Sequence, residues 1–299
     1  MIDPYNREIT GLRISITQKC NLNCKYCHHE GEGKSYEEMK CEEIIRIIRI
    51  AKKLNIKRVK FTGGEPLIRE DIGEIIKRTI DIGLDDVAIT TNGSLLNDKI
   101  EELFKAGLRR LNISIPSLNP YIYSSITGGN LLDVISGVHN AIRKGMNVKI
   151  NTVVMRGIND NEIPKFINFV SSLRCSLQLI ELEKLNLDNN FFEKHYIDLS
   201  FIEKMFRDLA EEVIIREDMN DRKIYIVNGI PIEIVRPTNP SFCKRCSRIR
   251  ITSNGKIKPC LMRNDNLVDI ITPMRNGASD EEIEELFKKA IMLRAPYYI

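Results

Sequence analysis

Three cysteines stand together at Cys20, Cys24 and Cys27, in the stretch C-N-L-N-C-K-Y-C, and three more at Cys243, Cys246 and Cys260. Thiols at this density hold metals or iron–sulfur clusters in a reducing compartment; disulfides are the reading for an oxidising one. Neither group has a nearby fourth cysteine. A cluster that only carries electrons normally closes on four thiolates, so three leave one iron open to a small molecule. Zinc is the alternative for the first group, with His28 or His29 as fourth ligand. For the second, no Cys or His follows Cys260, which favours an open cluster. Cys41 and Cys175 lie outside both groups and read as small buried hydrophobes.

Positioning such groups requires a scaffold, and the sequence supplies an alternating one. Strand-like, β-branched runs occur at 12–17, 57–62, 86–90, 110–115, 147–154 and 176–182. Amphipathic helical segments fall near 37–54, 71–83, 97–106, 132–144, 161–172 and 200–212, several ending at a glycine such as Gly83, Gly107 or Gly145. Strands separated by helices pair in parallel. The pattern fits an open doubly-wound sheet or a partial barrel, and in both the carboxyl ends of the strands carry the chemistry. The first cysteine group, Gly63-Gly64-Glu65-Pro66, Thr91-Asn92-Gly93, Ser114 and Met155-Arg156-Gly157 all fall there. Beyond about residue 220 the runs shorten into a β-rich extension, with a hairpin turn at 253–256 and a helix over 280–293.

With 299 residues and 42 % hydrophobic content, the chain is large enough for one large α/β domain or two medium ones. No apolar run reaches the roughly 18 residues that would span a bilayer. The opening M-I-D-P-Y-N-R-E lacks the layout of a signal peptide, so the expected location is the cytoplasm. A net charge of only +4 gives a weak overall field. Nucleic-acid and membrane partners are therefore not indicated, and any anion must be held by locally placed cations.

The spacing C-x3-C-x2-C, with Tyr26 before its last cysteine, resembles the signature of the radical S-adenosylmethionine enzymes, as does T-G-G-E-P at 62–66. The second group, C-x2-C with a cysteine after thirteen more residues, together with G-L-R-I-S-I-T and V-K-I-N-T-V-V-M-R-G-I-N-D-N-E, resembles the GTP 3′,8-cyclases of molybdenum cofactor biosynthesis over nearly the whole chain. That resemblance implies a partial (βα)6 TIM-type barrel over 1–220 and a small β-rich extension over 221–299. It implies two [4Fe–4S] clusters, one on Cys20, Cys24 and Cys27 that binds S-adenosylmethionine, the other on Cys243, Cys246 and Cys260 that binds substrate. Tyr26, Gly64 and Ser114 would contact S-adenosylmethionine. Arg13, Lys60, Thr90, Lys149, Arg248, the main chain of Ile249, and Arg250 would hold GTP.

The activity so implied is that of a lyase. A 5′-deoxyadenosyl radical removes hydrogen from C3′ of GTP, and closure on C8 gives 3′,8-cyclo-7,8-dihydro-GTP, the first step of molybdopterin biosynthesis. A one-electron reductant of flavodoxin or ferredoxin type would feed the first cluster, a cyclic pyranopterin monophosphate synthase would take the product, and a homodimer is compatible. Three features depart from the family pattern: Pro116 in the Ser114–Leu118 loop where a carboxylate is usual, Glu183 where a methionine is usual, and a C-terminus, Ala295–Ile299, without a Gly-Gly tail. Two rivals remain: a peptide-modifying radical enzyme with an auxiliary cluster, and a non-catalytic metal- or nucleic-acid-binding module.

Overall fold

The structure, a computed structural model, describes residues 1–33, 37–216, 222–237, 239 and 241–297. The boundary expected at 220/221 and the last two residues of the C-terminal tail lie outside the described residues. Strands run in chain order as β1 (Gly11–Ser15), β2 (Arg58–Thr62), β3 (Asp86–Thr91), β4 (Arg110–Ser114), β5 (Asn147–Val154), β6 (Ser176–Glu181), β7 (Glu212–Arg216), β8 (Arg222–Val227), β9 (Ile230–Val235), β10 (Arg248–Ile251), β11 (Lys256–Lys258) and β12 (Val268–Asp269). Helices are α1 (Cys41–Lys53), α2 (Ile72–Asp81), α3 (Leu96–Lys105), α4 (Pro120–Thr127), α5 (Leu131–Arg143), α6 (Ile163–Leu173), α7 (Asn189–His195), α8 (Ser200–Leu209), α9 (Ser241–Lys244), α10 (Ile271–Arg275) and α11 (Asp280–Met292).

These strands form one sheet in the order β12-β11-β10-β1-β2-β3-β4-β5-β6-β9-β8-β7. The six expected strands pair in parallel at its centre. The expected β-rich extension joins the same sheet at both ends: β10 lies parallel to β1, and β9 parallel to β6. Beyond them the arms β11–β12 and β8–β7 turn antiparallel. The result is an open barrel-like sheet whose edge strands are β12 and β7.

Alternation along each strand sorts its side chains between two environments. Leu12 and Ile14, Val59 and Phe61, Val87 and Ile89, Leu111 and Ile113, and Ile249 and Ile251 are all buried in one continuous apolar core. The helices supply its other wall. In α1, Ile44, Ile47, Ile48 and Ala51 recur at helical spacing and are buried there, so burial rather than intrinsic propensity holds this Ile-rich helix in place. Its N-terminus is closed by Glu43, which accepts the Lys40 N–H at 2.7 Å.

The alternate strand positions face the barrel interior and are mostly polar: Arg13, Lys60, Thr90, Asn112, Lys149, Asn151, Gln178, Glu233, Arg248 and Arg250. A barrel lumen is usually filled by branched apolar side chains. Here it is a charged channel. Among the described residues no helix is long and apolar enough to cross a membrane.

Candidate active site

A cavity of about 350 Å³ occupies the lumen and its mouth at the carboxyl ends of the strands. Both cysteine groups line it: Cys20, Cys24 and Cys27 from the loop after β1, and Cys243, Cys246 and Cys260 from α9, the turn after it and the loop after β11. All six are thiols rather than disulfides. Cys175 is buried in the core, and Cys41, half-buried, packs against that core.

The first loop is held from beneath by the segment after β2. Gly64 N donates to Thr17 O and Glu65 N to Lys19 O, both at 2.8 Å. A Cβ on Gly63 would lie 2.2 Å from Thr17 O, and one on Gly64 the same distance from Lys19 O. The glycines are therefore required by the approach of the Thr17–Lys19 backbone; an approach to a ligand, which the motif also allows, is not what crowds them. Glu65 is fully buried, and its carboxylate accepts from Thr91 Oγ1 at 2.7 Å, Asn92 N at 2.6 Å and Leu67 N at 3.0 Å. Burial pushes its carboxyl up to about 7 against those three bonds. Asn92 in turn reaches Asn21 at 3.0 Å and the Cys20 sulfur at 3.9 Å, so three strand ends are tied into one frame.

Backbone N–H groups point at the sulfurs, Leu22 N at Cys20 and His29 N at Cys27, at 3.5 and 3.4 Å. Burial pushes the Cys24 thiol up to about 12, and the neighbouring Cys27 and Cys20 push it the same way. Three thiols near enough to repel one another once ionised form a donor set that a cationic iron centre satisfies. Tyr26 packs beside them with Ile126, Met155 and Leu182.

The second group is assembled by the two ends of the chain. Arg7 donates to Cys243 O at 3.1 Å and to Ala295 O at 2.7 Å. Arg294 donates to Cys246 O and Arg248 O, both at 2.7 Å. Asp3, buried, pairs with both arginines at 2.6 and 3.0 Å. Burial would raise the Cys246 thiol, yet Arg294 and Arg248 lower it to about 6. Its thiolate is favoured near neutrality.

The two groups are also coupled to each other. Glu30 accepts from Arg250 at 2.7 Å and Thr62 at 2.8 Å and lies 3.7 Å from Arg13. Burial works against its charge, but Arg13 and Arg250 hold the carboxyl at about 2. Glu32 accepts from Ser253 Oγ at 2.8 Å. Lys258 donates to Gly31 O at 3.1 Å, and a Cβ on Gly31 would fall 2.5 Å from Leu261 O. The loop after the first cysteines is thus pressed against the hairpin and loop that carry Cys260.

Of the expected substrate residues, Arg13, Lys60, Thr90, Arg248 and Arg250 line the cavity together, as do the expected cofactor residues Tyr26, Gly64 and Ser114. Burial lowers Arg13 and Arg248 to about 10 and Lys60 well below its ordinary value, each pressed further by neighbouring cations. Lys149 shares their inward face but lies outside the cavity wall; its ammonium is taken by Glu233. The Ile249 side chain is buried in the outer core, leaving only its main chain toward the lumen. A carboxylate oxygen of Glu183 lacks a hydrogen-bond partner, as do Thr90 Oγ1, Asn151 Oδ1 and His28 Nδ1. Buried polar atoms left unpaired are costly, and all four belong to residues that line the cavity. Glu30, Lys258, Asp3, Arg7 and Arg294 went unread in the sequence, because each makes a contact far along the chain.

Residues 14–170 match the Radical SAM superfamily, and residues 175–299 match Molybdenum Cofactor Synthesis C. Over its whole length the chain is 47 % identical to the Probable GTP 3′,8-cyclase of Pyrococcus abyssi, covering 99 % of that protein. It is 45 % identical to that of Methanosarcina acetivorans, covering 90 % of it, again with this chain fully covered. Among solved structures, Streptococcus suis SuiB bound to S-adenosylmethionine superposes with a TM-score of 0.62 at 17 % identity, over 86 % of this chain and 60 % of that one. A tagged form of anSMEcpe with bound AdoMet gives 0.61 at 16 % identity, over 92 % and 80 %. At such identities the structures speak for the fold alone, and the sequence relatives carry the family. The chain belongs to the radical SAM superfamily, and its C-terminal part to the Molybdenum Cofactor Synthesis C family.

Proposed function

We propose that this chain is a GTP 3′,8-cyclase. The observation that carries the reading is one cavity lined by two separate cysteine triads and by Arg13, Lys60, Arg248 and Arg250. Membership of the superfamily brings a [4Fe–4S] cluster and S-adenosylmethionine, and the mutually repelling thiols of Cys20, Cys24 and Cys27 fit that cluster. We assign a second [4Fe–4S] cluster to Cys243, Cys246 and Cys260, where Arg248 and Arg294 favour thiolate. The radical S-adenosylmethionine partial-barrel core is assigned to 1–220 and the extension with the second cluster and GTP site to 221–299, with Arg13, Lys60, Thr90 and Lys149 reaching GTP from the core.

When bound, the first cluster with S-adenosylmethionine supplies a 5′-deoxyadenosyl radical, the species able to take hydrogen from C3′ of the ribose before C3′ closes on C8. The protein's own residues bind and orient. Tyr26, Gly64 and Ser114 flank the S-adenosylmethionine end of the cavity. The guanidinium forks of Arg13, Arg248 and Arg250 suit phosphate oxygens, and Lys60 and Lys149 supply point charges. Thr90 offers a hydroxyl with no partner of its own. Enclosure in the lumen limits access of water to a reactive carbon centre.

The same reading places the protein in the cytoplasm, fed by a flavodoxin- or ferredoxin-type reductant, followed by a cyclic pyranopterin monophosphate synthase, and leaves room for a homodimer. Anaerobic reconstitution followed by dithionite, S-adenosylmethionine and GTP tests it. The expected result is about eight irons per chain, from two four-iron clusters, with 5′-deoxyadenosine and cyclised nucleotide formed in step. Release of 5′-deoxyadenosine without GTP consumption would reject the cyclase assignment.

A further inference from the structure

The far side of the lumen carries a cation that none of the substrate assignments uses. Arg222 opens β8, and its side chain, 9 % exposed, lines the cavity. It donates to Gln178 Oε1 at 3.1 Å and lies 3.3 Å from Glu233 Oε2. Glu233, itself 3 % exposed, also pairs with Lys149 and with Arg216, the latter at 3.6 Å. Its Oε2 nevertheless has no hydrogen-bond partner. One carboxylate is therefore shared among three cations.

Charge balance shows what is missing. Among the described residues, the cations that line the lumen outnumber its carboxylates, Glu30, Asp86, Glu181 and Glu183. The charges that bear most on Lys60 are all like ones, those of Arg13, Arg110, Arg222 and Lys149. Gathering them in a low-dielectric lumen is costly unless a polyanion shares it. Position adds a second argument. Arg248 and Arg250 come from β10, beside β1 on one side of the central strands, whereas Arg222 comes from β8, beyond β9 on the other side, yet Arg222 is near enough to Arg248 to depress its charge. A polyanion between them would bridge the two arms of the extension.

We propose that Arg222 is a phosphate anchor for the terminal end of a nucleoside triphosphate, and that Glu233 is the carboxylate from which the incoming phosphate takes it. The proposal rests on the GTP reading and deepens it. Glu233 keeps the guanidinium extended into the lumen before substrate arrives, a positioning role. A terminal phosphate then accepts the forked hydrogen bonds and offsets the like charges gathered around it.

Equilibrium binding of GTP, GDP, GMP and inorganic tripolyphosphate to the anaerobically reconstituted protein and its Arg222→Ala and Arg222→Lys variants tests this. Arg222→Ala should weaken GTP and tripolyphosphate by about tenfold or more and GMP by less than about twofold, with Arg222→Lys intermediate. An equal loss for GTP and GMP, or unchanged GTP affinity, would overturn the proposal. Should the alanine variant lose iron or helicity, the GTP-to-GMP ratio of the lysine variant decides. If the parent protein binds tripolyphosphate through Arg222 but no guanine nucleotide, the cyclase reading fails while the anchor stands.

Discussion

The two cysteine triads have the same donor set but are built by opposite means. Cys20, Cys24 and Cys27 sit on one continuous loop, framed by the neighbouring strand ends and by N–H groups directed at the sulfurs. Cys243, Cys246 and Cys260 come from two segments, and the first of these is held through the Cys243 and Cys246 carbonyls by Arg7 and Arg294, which themselves meet on Asp3. The electrostatics differ accordingly. Burial and neighbouring sulfurs drive the Cys24 thiol up to about 12, whereas two arginines draw Cys246 down to about 6. The first triad thus depends on metal to stabilise its thiolates, whereas in the second Cys246 is charge-stabilised by the protein itself. Distant substitutions should therefore injure the second and spare the first.

The largest effects should separate the two sites by chemistry. Cys24→Ala should cost about four of eight irons and reduce 5′-deoxyadenosine formation to background. Cys246→Ala should cost the other four, yet leave S-adenosylmethionine cleavage measurable while GTP consumption stops. Iron analysis with paired quantification of 5′-deoxyadenosine and nucleotide distinguishes them, and identical phenotypes would remove the division of labour. Arg294→Ala sharpens the comparison from a distance. It leaves Asp3 with one partner fewer and two carbonyls without donors, so a loss of about 3 kcal/mol is expected. In iron-free protein, iodoacetamide should label Cys246 with a midpoint near pH 6, before Cys24. In the variant that midpoint should rise by at least about one unit, since two cations become one; an unmoved midpoint would show that Arg294 only packs.

This contrast also governs what could be read in the sequence. All six central strands were visible because alternation puts an apolar residue on one face and a polar one on the other, as with Leu12, Arg13 and Ile14. The first triad was visible for the same local reason: its ligands fall within the single short stretch Cys20–Cys27. Helix α4 was missed although Asn119 caps it and Pro120 occupies its first turn, a signal that was available. Helix α7 buries no residue and left no periodic trace. The joining of β9 and β10 to opposite edges depends on pairings such as Gly11 with Arg248 and Gln178 with Glu233, which no local pattern encodes. Arg222 lay hidden for that reason, as did the termini that hold the second triad.

A smaller effect should come from the contact that joins the two triads. Glu30 belongs to the first loop, yet its carboxylate is held by Arg250 of the substrate strand and by Arg13. Its folded value of about 2 lies below the ordinary 4.5. A depressed carboxylate contributes stability that is fully present above 4.5 and is lost as pH falls toward 2. Glu30→Gln should therefore destabilise the protein by about 3 kcal/mol at neutral pH. Moreover, the gap between parent and variant should shrink steadily between pH 4.5 and 2 as the parent's own carboxylate is protonated. Urea unfolding across that range, followed by circular dichroism, measures the gap. Were it constant with pH, Glu30 would act through packing alone, and the two triads would be joined by Lys258 and the Gly31 contact without its charge.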